Sequence, residues 1–414
     1  MKKINVKSFL AVLGTVLLTA FLCSCSGVRE DGSADVEKYT MSENSTVYTI
    51  DPTVYLDLGD IDMQSSDILA YSGSNIFISA ADFDNNRPDI FLCNTENNNI
   101  SNIGTVDWQA MYHHLYTVIG DRYFVIIPST YETDGVKSTV YVYDIQTQSF
   151  YVGDEFHAAG IEQYIANISN ERLAYFYLEE GTGDGVIRIY DFEENTSSEV
   201  YRCAIKDNGY YPAALCSEVN KLLPVLQRYD EDLQAETLIR EIDLEGNELK
   251  EYNLTAFDVD EIRYMKYMDG CYYIGGCNVR AIVDGGAFYE DKAVIACIGD
   301  SITDNYQVIS PSKALLSYPL NYTNNPAEGL QMFFSSSGNY TDFNEIDAVA
   351  IDTDTRKIAY ISINIPDCPY IYAARSNENG DLAVIKYSDE NYTECKLALV
   401  KSESIAEGIG IGIE

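Results

Sequence analysis

The sequence predicts an all-β chain, a β-propeller of seven four-stranded blades, with six or eight as the neighbouring counts. Three observations lead there. A short strand pattern recurs at a nearly fixed period, the runs between its copies hold further short strands bounded by Gly, Asn and Asp, and no stretch carries the apolar period of a long amphipathic helix. The clearest copy is Thr139 to Gln148, an alternating apolar and aromatic strand that runs into an acidic residue at a turn. Counted at the residue ending each copy (Asn94, Asp144, Asp191, Asp243, Asp300, Asp352 and Lys401), the steps are 50, 47, 52, 57, 52 and 49 residues. Radial repetition of small sheets accounts for such a period.

Taken in order, the first blade reads Ile68 to Tyr71, Asn75 to Ser79, Asp89 to Asn94 and Ile100 to Thr105. The second reads Leu115 to Ile119, Arg122 to Ile127, Thr139 to Asp144 and Phe150 to Gly153, and the third Tyr164 to Ile168, Arg172 to Tyr177, Val186 to Asp191 and Ser198 to Cys203. The fourth offers Tyr211 to Leu215, Leu222 to Gln227, Thr237 to Asp243 and Glu248 to Leu254. An excursion through Asp284-Gly285-Gly286 stretches the fifth, whose strands are Tyr264 to Met268, Cys271 to Gly275, Val294 to Gly299 and Tyr306 to Ile309. The sixth has Ala314 to Tyr318, Leu330 to Ser335, Ala348 to Asp352 and Lys357 to Ile363. Tyr370 to Ala374, Leu382 to Tyr387 and Cys395 to Lys401 leave the last blade one strand short. Closing the ring with strands from both chain ends would remove its exposed edges. The candidates are Val47 to Asp51 with Val54 to Leu58, or the tail Ile409 to Ile413. Helical turns are expected only near Asp107 to His113 and Glu155 to Glu162.

Ahead of the repeat, Lys2, Lys3 and Lys7 precede an apolar run from Phe9 to Leu22, too short for a permanent membrane span and of the form of an export signal. It closes on Leu22-Cys23-Ser24-Cys25, which resembles the bacterial lipobox. The resemblance implies a lipoprotein signal peptide over 1–24 and lipidation of Cys25. Residues 25–46 are small, polar and acidic and read as a flexible tether, and 47–414 as the propeller domain. The expected address is the extracytoplasmic face of a bacterial cell membrane, held there by lipid.

A net charge of −38, from 65 acidic and 27 basic residues among 414, excludes nucleic acid as a partner, since phosphate recognition needs basic residues. Such charge keeps a chain soluble and monomeric. Forty-six per cent apolar residues and 34 tyrosines supply a core. Beyond Cys23 and Cys25 the eight cysteines are scattered and match no zinc template; Cys203 with Cys216 and Cys271 with Cys277 are the nearest disulfide candidates.

The layout over residues 47–414 resembles bacterial β-propellers of the WD40-like and TolB-like sort, although the Trp-Asp and Gly-His marks of WD40 blades are missing and Trp108 is the single tryptophan. Gly299-Asp300-Ser301-Ile302-Thr303 resembles the first block of the GDSL hydrolases. All three histidines, His113, His114 and His157, lie upstream of it, so the expected downstream base is missing and the block reads as a strand and a tight turn. Asp82 to Asn86 alternates oxygen ligands, but Arg87 stands where a calcium loop needs glycine. No catalytic residue, metal ligand or cofactor is nominated.

What remains is a series of acidic hairpins between second and third strands: Asp82 to Asp89, Glu132 to Asp134, Glu179 to Asp184, Asp230 to Asp232, and Asp389 to Glu390. With nearby tyrosines they would form one acidic, aromatic face. The ligand-binding candidates are Glu179, Glu180, Tyr229, Asp230, Glu231 and Asp232. The function expected is binding or scaffolding for a protein, peptide or glycan ligand. The alternative is a carbohydrate-active or peptide-directed hydrolase with a carboxylate-based site in the channel mouth.

Overall fold

The computed structural model describes residues 29–31, 37–40, 46–52, 54–56, 58, 61, 66–82, 87–106, 114–133, 135–205, 209–229, 235–254, 261–268, 271–283, 286–299, 306–310, 320–327, 330–335, 345–352, 358–366, 370–377, 379–387 and 395–409. Almost all of it is strand. Among the described residues, one short helix, α1 (Ser402–Ile409), follows the last strand.

Among the described residues, six sheets hold seven successive antiparallel meanders. Unit one is Ser66–Ser72, Asn75–Asp82, Arg87–Asn94 and Asn99–Thr105. Units two and three share a seven-stranded sheet: His114–Ile119, Tyr123–Tyr131, Val136–Asp144, the long Ser149–Ser169, then Arg172–Glu179, Gly185–Asp191 and Thr196–Cys203. The long strand belongs to both, because its pairing jumps between Ala158 and Gln163. Unit four is Tyr211–Glu218, Lys221–Tyr229, Ala235–Asp243 and Glu248–Asn253. Unit five is Glu261–Met268, Cys271–Val283, Gly286–Gly299 and Tyr306–Ser310. Unit six is Leu320–Ala327, Leu330–Ser335, Glu345–Asp352 and Ile358–Asn364, and unit seven Tyr370–Ser376, Leu382–Tyr387 and Cys395–Val400.

The repeated turn has a local cause. Asn94, Asp144 and Asp191 each end a third strand, and one side-chain oxygen of each accepts from the backbone N–H groups two and three residues on. Four residues after each, Asn98, Gln148 and Asn195 take φ of 53°, 54° and 53°. Asp243 makes a variant of this turn, accepting from the N–H groups of Glu245 and Asn247. The chain thereby reverses with the N–H groups of the turn satisfied by the side chain that opens it.

The core lies between sheets. Leu69, Phe77 and Ile90 of unit one pack on Phe124 and Ile126 of unit two, with the Phe77 and Phe124 rings stacked at 4.1 Å. Ile187 and Tyr201 of unit three pack on Leu222 and Leu238 of unit four. Ile239 of unit four meets Ile262 and Ile274 of unit five, and Ile361 of unit six meets Val384 of unit seven. Ala383, Leu397 and Leu399 of unit seven pack on Ile68 and Ile76 of unit one. A sheet buried on both faces reads as a nearly continuous apolar run, which explains second strands such as Tyr123 to Ile127. A polar tie recurs inside this packing. Ser138, opposite Ser129, donates to Gln163 in the next unit, and at the matching place Gln227, opposite Thr237, accepts from the Ile262 N–H.

The N-terminal stretch departs from expectation. Within 25–46, read as a flexible tether, Arg29–Asp31 and Glu37–Thr40 are strands, parallel to Glu248–Asn253 of unit four and Tyr306–Ser310 of unit five. Thr46–Thr49 adds in parallel to Ile358–Asn364 of unit six. An outer strand leaves a row of open N–H and C=O groups, and a polar chain without any apolar period can satisfy them through its backbone alone. Val54–Leu56 pairs antiparallel with Leu397 to Leu399 as the fourth strand of unit seven. Of the alternative tail, Ile409 ends α1, whose Ile405 is buried with Ile50, and residues 410–413 lie outside the described residues.

Two further expectations fail. Glu155 to Glu162 is strand, since Phe156 and Ala158 point inward while Glu155, His157 and Ala159 are exposed, a period of two. Cys203 and Cys216 are separate buried thiols. Cys271 and Cys277 occupy one extended strand six positions apart, about 20 Å at the usual rise, too far for a disulfide. Asp107 to His113, the proposed sixth-blade strand Ala314 to Tyr318, and Asp300 to Thr303 with Ser301 lie outside the described residues.

Candidate functional site

Among the described residues, two second-to-third-strand links, in units two and three, converge. The first joins Tyr123–Tyr131 to Val136–Asp144 and carries Glu132; the second joins Arg172–Glu179 to Gly185–Asp191 and carries Glu179, Glu180 and Asp184. Between them runs Ser149–Ser169, which presents His157.

The carboxylates divide into two groups. Arg202, on the outer strand of unit three, takes the first. Its Nη1 and Nη2 donate to the two oxygens of Glu179 at 2.6 and 3.0 Å, its Nε and Nη2 to Glu199 at 2.8 and 2.7 Å, and Nη1 also to Asp184 at 3.3 Å. These bonds hold the Glu179 carboxyl below its ordinary value. Glu199 is lowered for the same reason. This is a structural ion cluster, so Glu179 is committed within the fold.

Glu180 turns the other way. Its Oε2 lies 3.6 Å from Nδ1 of His157, and Oε2 of Glu132 lies 3.3 Å from the same nitrogen. One ligand atom from each of the three residues lies within 4.8 Å of the others. Backbone contacts set both glutamates: the Glu180 N–H donates to the His157 carbonyl at 3.3 Å, and the Glu132 N–H to the Gly135 carbonyl at 2.9 Å. Gly135 is required there, because a Cβ would sit 2.5 Å from the Ala158 carbonyl oxygen and 3.3 Å from the Glu180 side chain. The neighbouring cation Lys137 is paired with Glu155 at 2.7 Å.

Of the other expected ligand residues, Tyr229 ends its strand half-buried, its ring 6.0 Å from that of Tyr211. Asp230, Glu231, Asp232 and the acidic run Phe83 to Asn86 lie outside the described residues, as does Cys25. Sequence reasoning missed His157 as a partner of the hairpins. No ligand template links it to Glu132 and Glu180, which sit on other strands.

No protein-family model and no curated protein matches the chain. Similar solved structures are hydrazine synthase of Kuenenia stuttgartiensis (11% identity, 90% of this chain and 99% of that one, TM-score 0.48) and oligogalacturonate lyase of Vibrio parahaemolyticus (10%, 85% and 97%, TM-score 0.46). Another is the β-propeller domain of the trilobed protease of Pyrococcus furiosus (10%, 70% and 82%, TM-score 0.39).

Proposed function

We propose that the chain is a lipid-anchored β-propeller of seven blades that binds a cationic or polyhydroxylated ligand, a protein, peptide or glycan, on the outer side of a bacterial membrane. The observation that carries the binding reading is the convergence of Glu132 and Glu180 from neighbouring units over His157. The ring is supported by the packing of unit seven on unit one and by the pairing of Val54–Leu56 with the last strand. The anchor is supported by the basic, apolar and Leu22-Cys23-Ser24-Cys25 order of the N-terminus.

Two experiments test this. A labelled lysine-rich peptide is titrated against the chain and against Glu132→Gln/Glu180→Gln, with Glu193→Gln/Glu194→Gln, at the opposite end of a unit-three strand, as a control of equal charge change. A roughly tenfold loss confined to the first pair is expected; equal losses in both would reduce the interaction to bulk charge and overturn the binding face. Metabolic labelling with a fatty-acid analogue in a bacterial host is expected to mark the chain and to fail in Cys25→Ala. Labelling that persists in that variant sinks the anchor at Cys25.

A further inference from the structure

We infer that Glu132, His157 and Glu180 form a binding site for a divalent first-row transition ion, zinc in the first place. The donor set is one imidazole nitrogen and two carboxylate oxygens, brought from a unit-two hairpin, the long shared strand and a unit-three hairpin. Zinc takes such donors at about 2.0 to 2.2 Å in a tetrahedron, so neighbouring ligand atoms stand roughly 3.3 Å apart. The nitrogen-to-oxygen separations of 3.3 and 3.6 Å already approach that edge.

Charge points the same way. Two carboxylates of like charge converge on one ring nitrogen, an arrangement that a dication between them would stabilise. The adjacent cations are taken: Arg202 by Glu179, Glu199 and Asp184, and Lys137 by Glu155. A dication on the His157 Nδ1 side would sit between the two glutamates and leave Nε2 carrying the proton. The imidazole selects against calcium and magnesium, which prefer six or more oxygen ligands. Three protein donors leave a fourth position open, and the side chains of His157 and Glu132 are 52% and 44% exposed. The site would therefore hold its ion with water or a ligand group in the last place.

The inference uses the hairpin face of the preceding reading but does not need its ligand. Chelator-stripped full-length protein is titrated calorimetrically with zinc chloride, and separately with calcium chloride. One saturable zinc site is expected, untouched by equimolar calcium, at least tenfold weaker in His157→Ala and about tenfold weaker in each of Glu132→Gln and Glu180→Gln. Cobalt(II) in place of zinc should give a tetrahedral visible absorption that His157→Ala removes. Zinc is titrated without peptide, and Glu193→Gln/Glu194→Gln, an equal charge change away from His157, should bind it as the parent does. Zinc titration of His157→Ala indistinguishable from the parent, or displacement by equimolar calcium, would overturn the assignment and leave the cluster as polar contacts of His157 with two glutamates.

Discussion

The guanidinium of Arg375 donates a hydrogen bond to the hydroxyl of Tyr116, a residue 259 positions earlier in the chain. Arg375 lies on the first strand of unit seven and Tyr116 on the first strand of unit two. Asp67, on the first strand of unit one, places a carboxylate oxygen 3.9 Å from the same nitrogen. One arginine thus ties three units, across the place where the last meets the first. Its side chain is 12% exposed, so removing the charge leaves a partly desolvated carboxylate and a phenol that loses this donor. Arg375→Met should lower stability by about 2–4 kcal/mol, read from the denaturant midpoint at unchanged slope. A loss within experimental error would show the tie to be dispensable.

Val54–Leu56 completes unit seven, and Leu56 is 4% exposed. Leu56→Ala removes a buried side chain from the cluster shared by units seven and one, and should cost about 2–5 kcal/mol. Tyr55→Ala, on the exposed side of the same strand, should cost far less. Equal effects in thermal unfolding would argue that the strand does not pack as described.

Gly246 takes a φ of +87°, and a Cβ there would lie 1.8 Å from the Val200 carbonyl oxygen. Both the left-handed backbone and the contact with the preceding unit oppose any side chain. Gly246→Ala should destabilise by at least about 1–3 kcal/mol. Calorimetric melting of the two proteins measures it, and a melting temperature unchanged or raised would refute the contact.

Arg202 makes stability pH-dependent with a definite sign. Its hydrogen bonds lower the folded pKa of Glu179 below the ordinary 4.5, and that of Glu199 likewise. A carboxyl depressed on folding contributes stability that is fully present above its unfolded value and is lost as pH falls through the folded value. Arg202→Gln should therefore cost at most about 1 kcal/mol at pH 7, because these groups are partly solvent-screened. The difference should shrink as pH falls below 4.5. A difference that grows on acidification would reverse the assignment. Denaturant unfolding of both proteins at a series of pH values decides it.

The turn residues show how far the chain could be read directly. Asn94, Asp144, Asp191 and Asp243 act within four residues of themselves, so their spacing exposed the repeat and the end of each third strand without reference to any distant contact. Glu155 to Glu162 misled, because a stretch passing between two units carries charges at odd places that mimic a helix face. Its alternation becomes plain only when Phe156 and Ala158 are known to be buried. The N-terminal strands Arg29–Asp31 and Glu37–Thr40 left no pattern at all, since they pair through backbone groups that every residue possesses.

By itself the sequence determined the strand chemistry, the period and the acidic hairpins, because alternation and turn formation are local. Only the tertiary structure decided that Glu179 is spent on Arg202 while Glu180, its neighbour, faces His157 and Glu132. Adjacent residues leaving a strand point to opposite sides, and which side meets a cation and which a histidine depends on strands contributed from elsewhere in the chain.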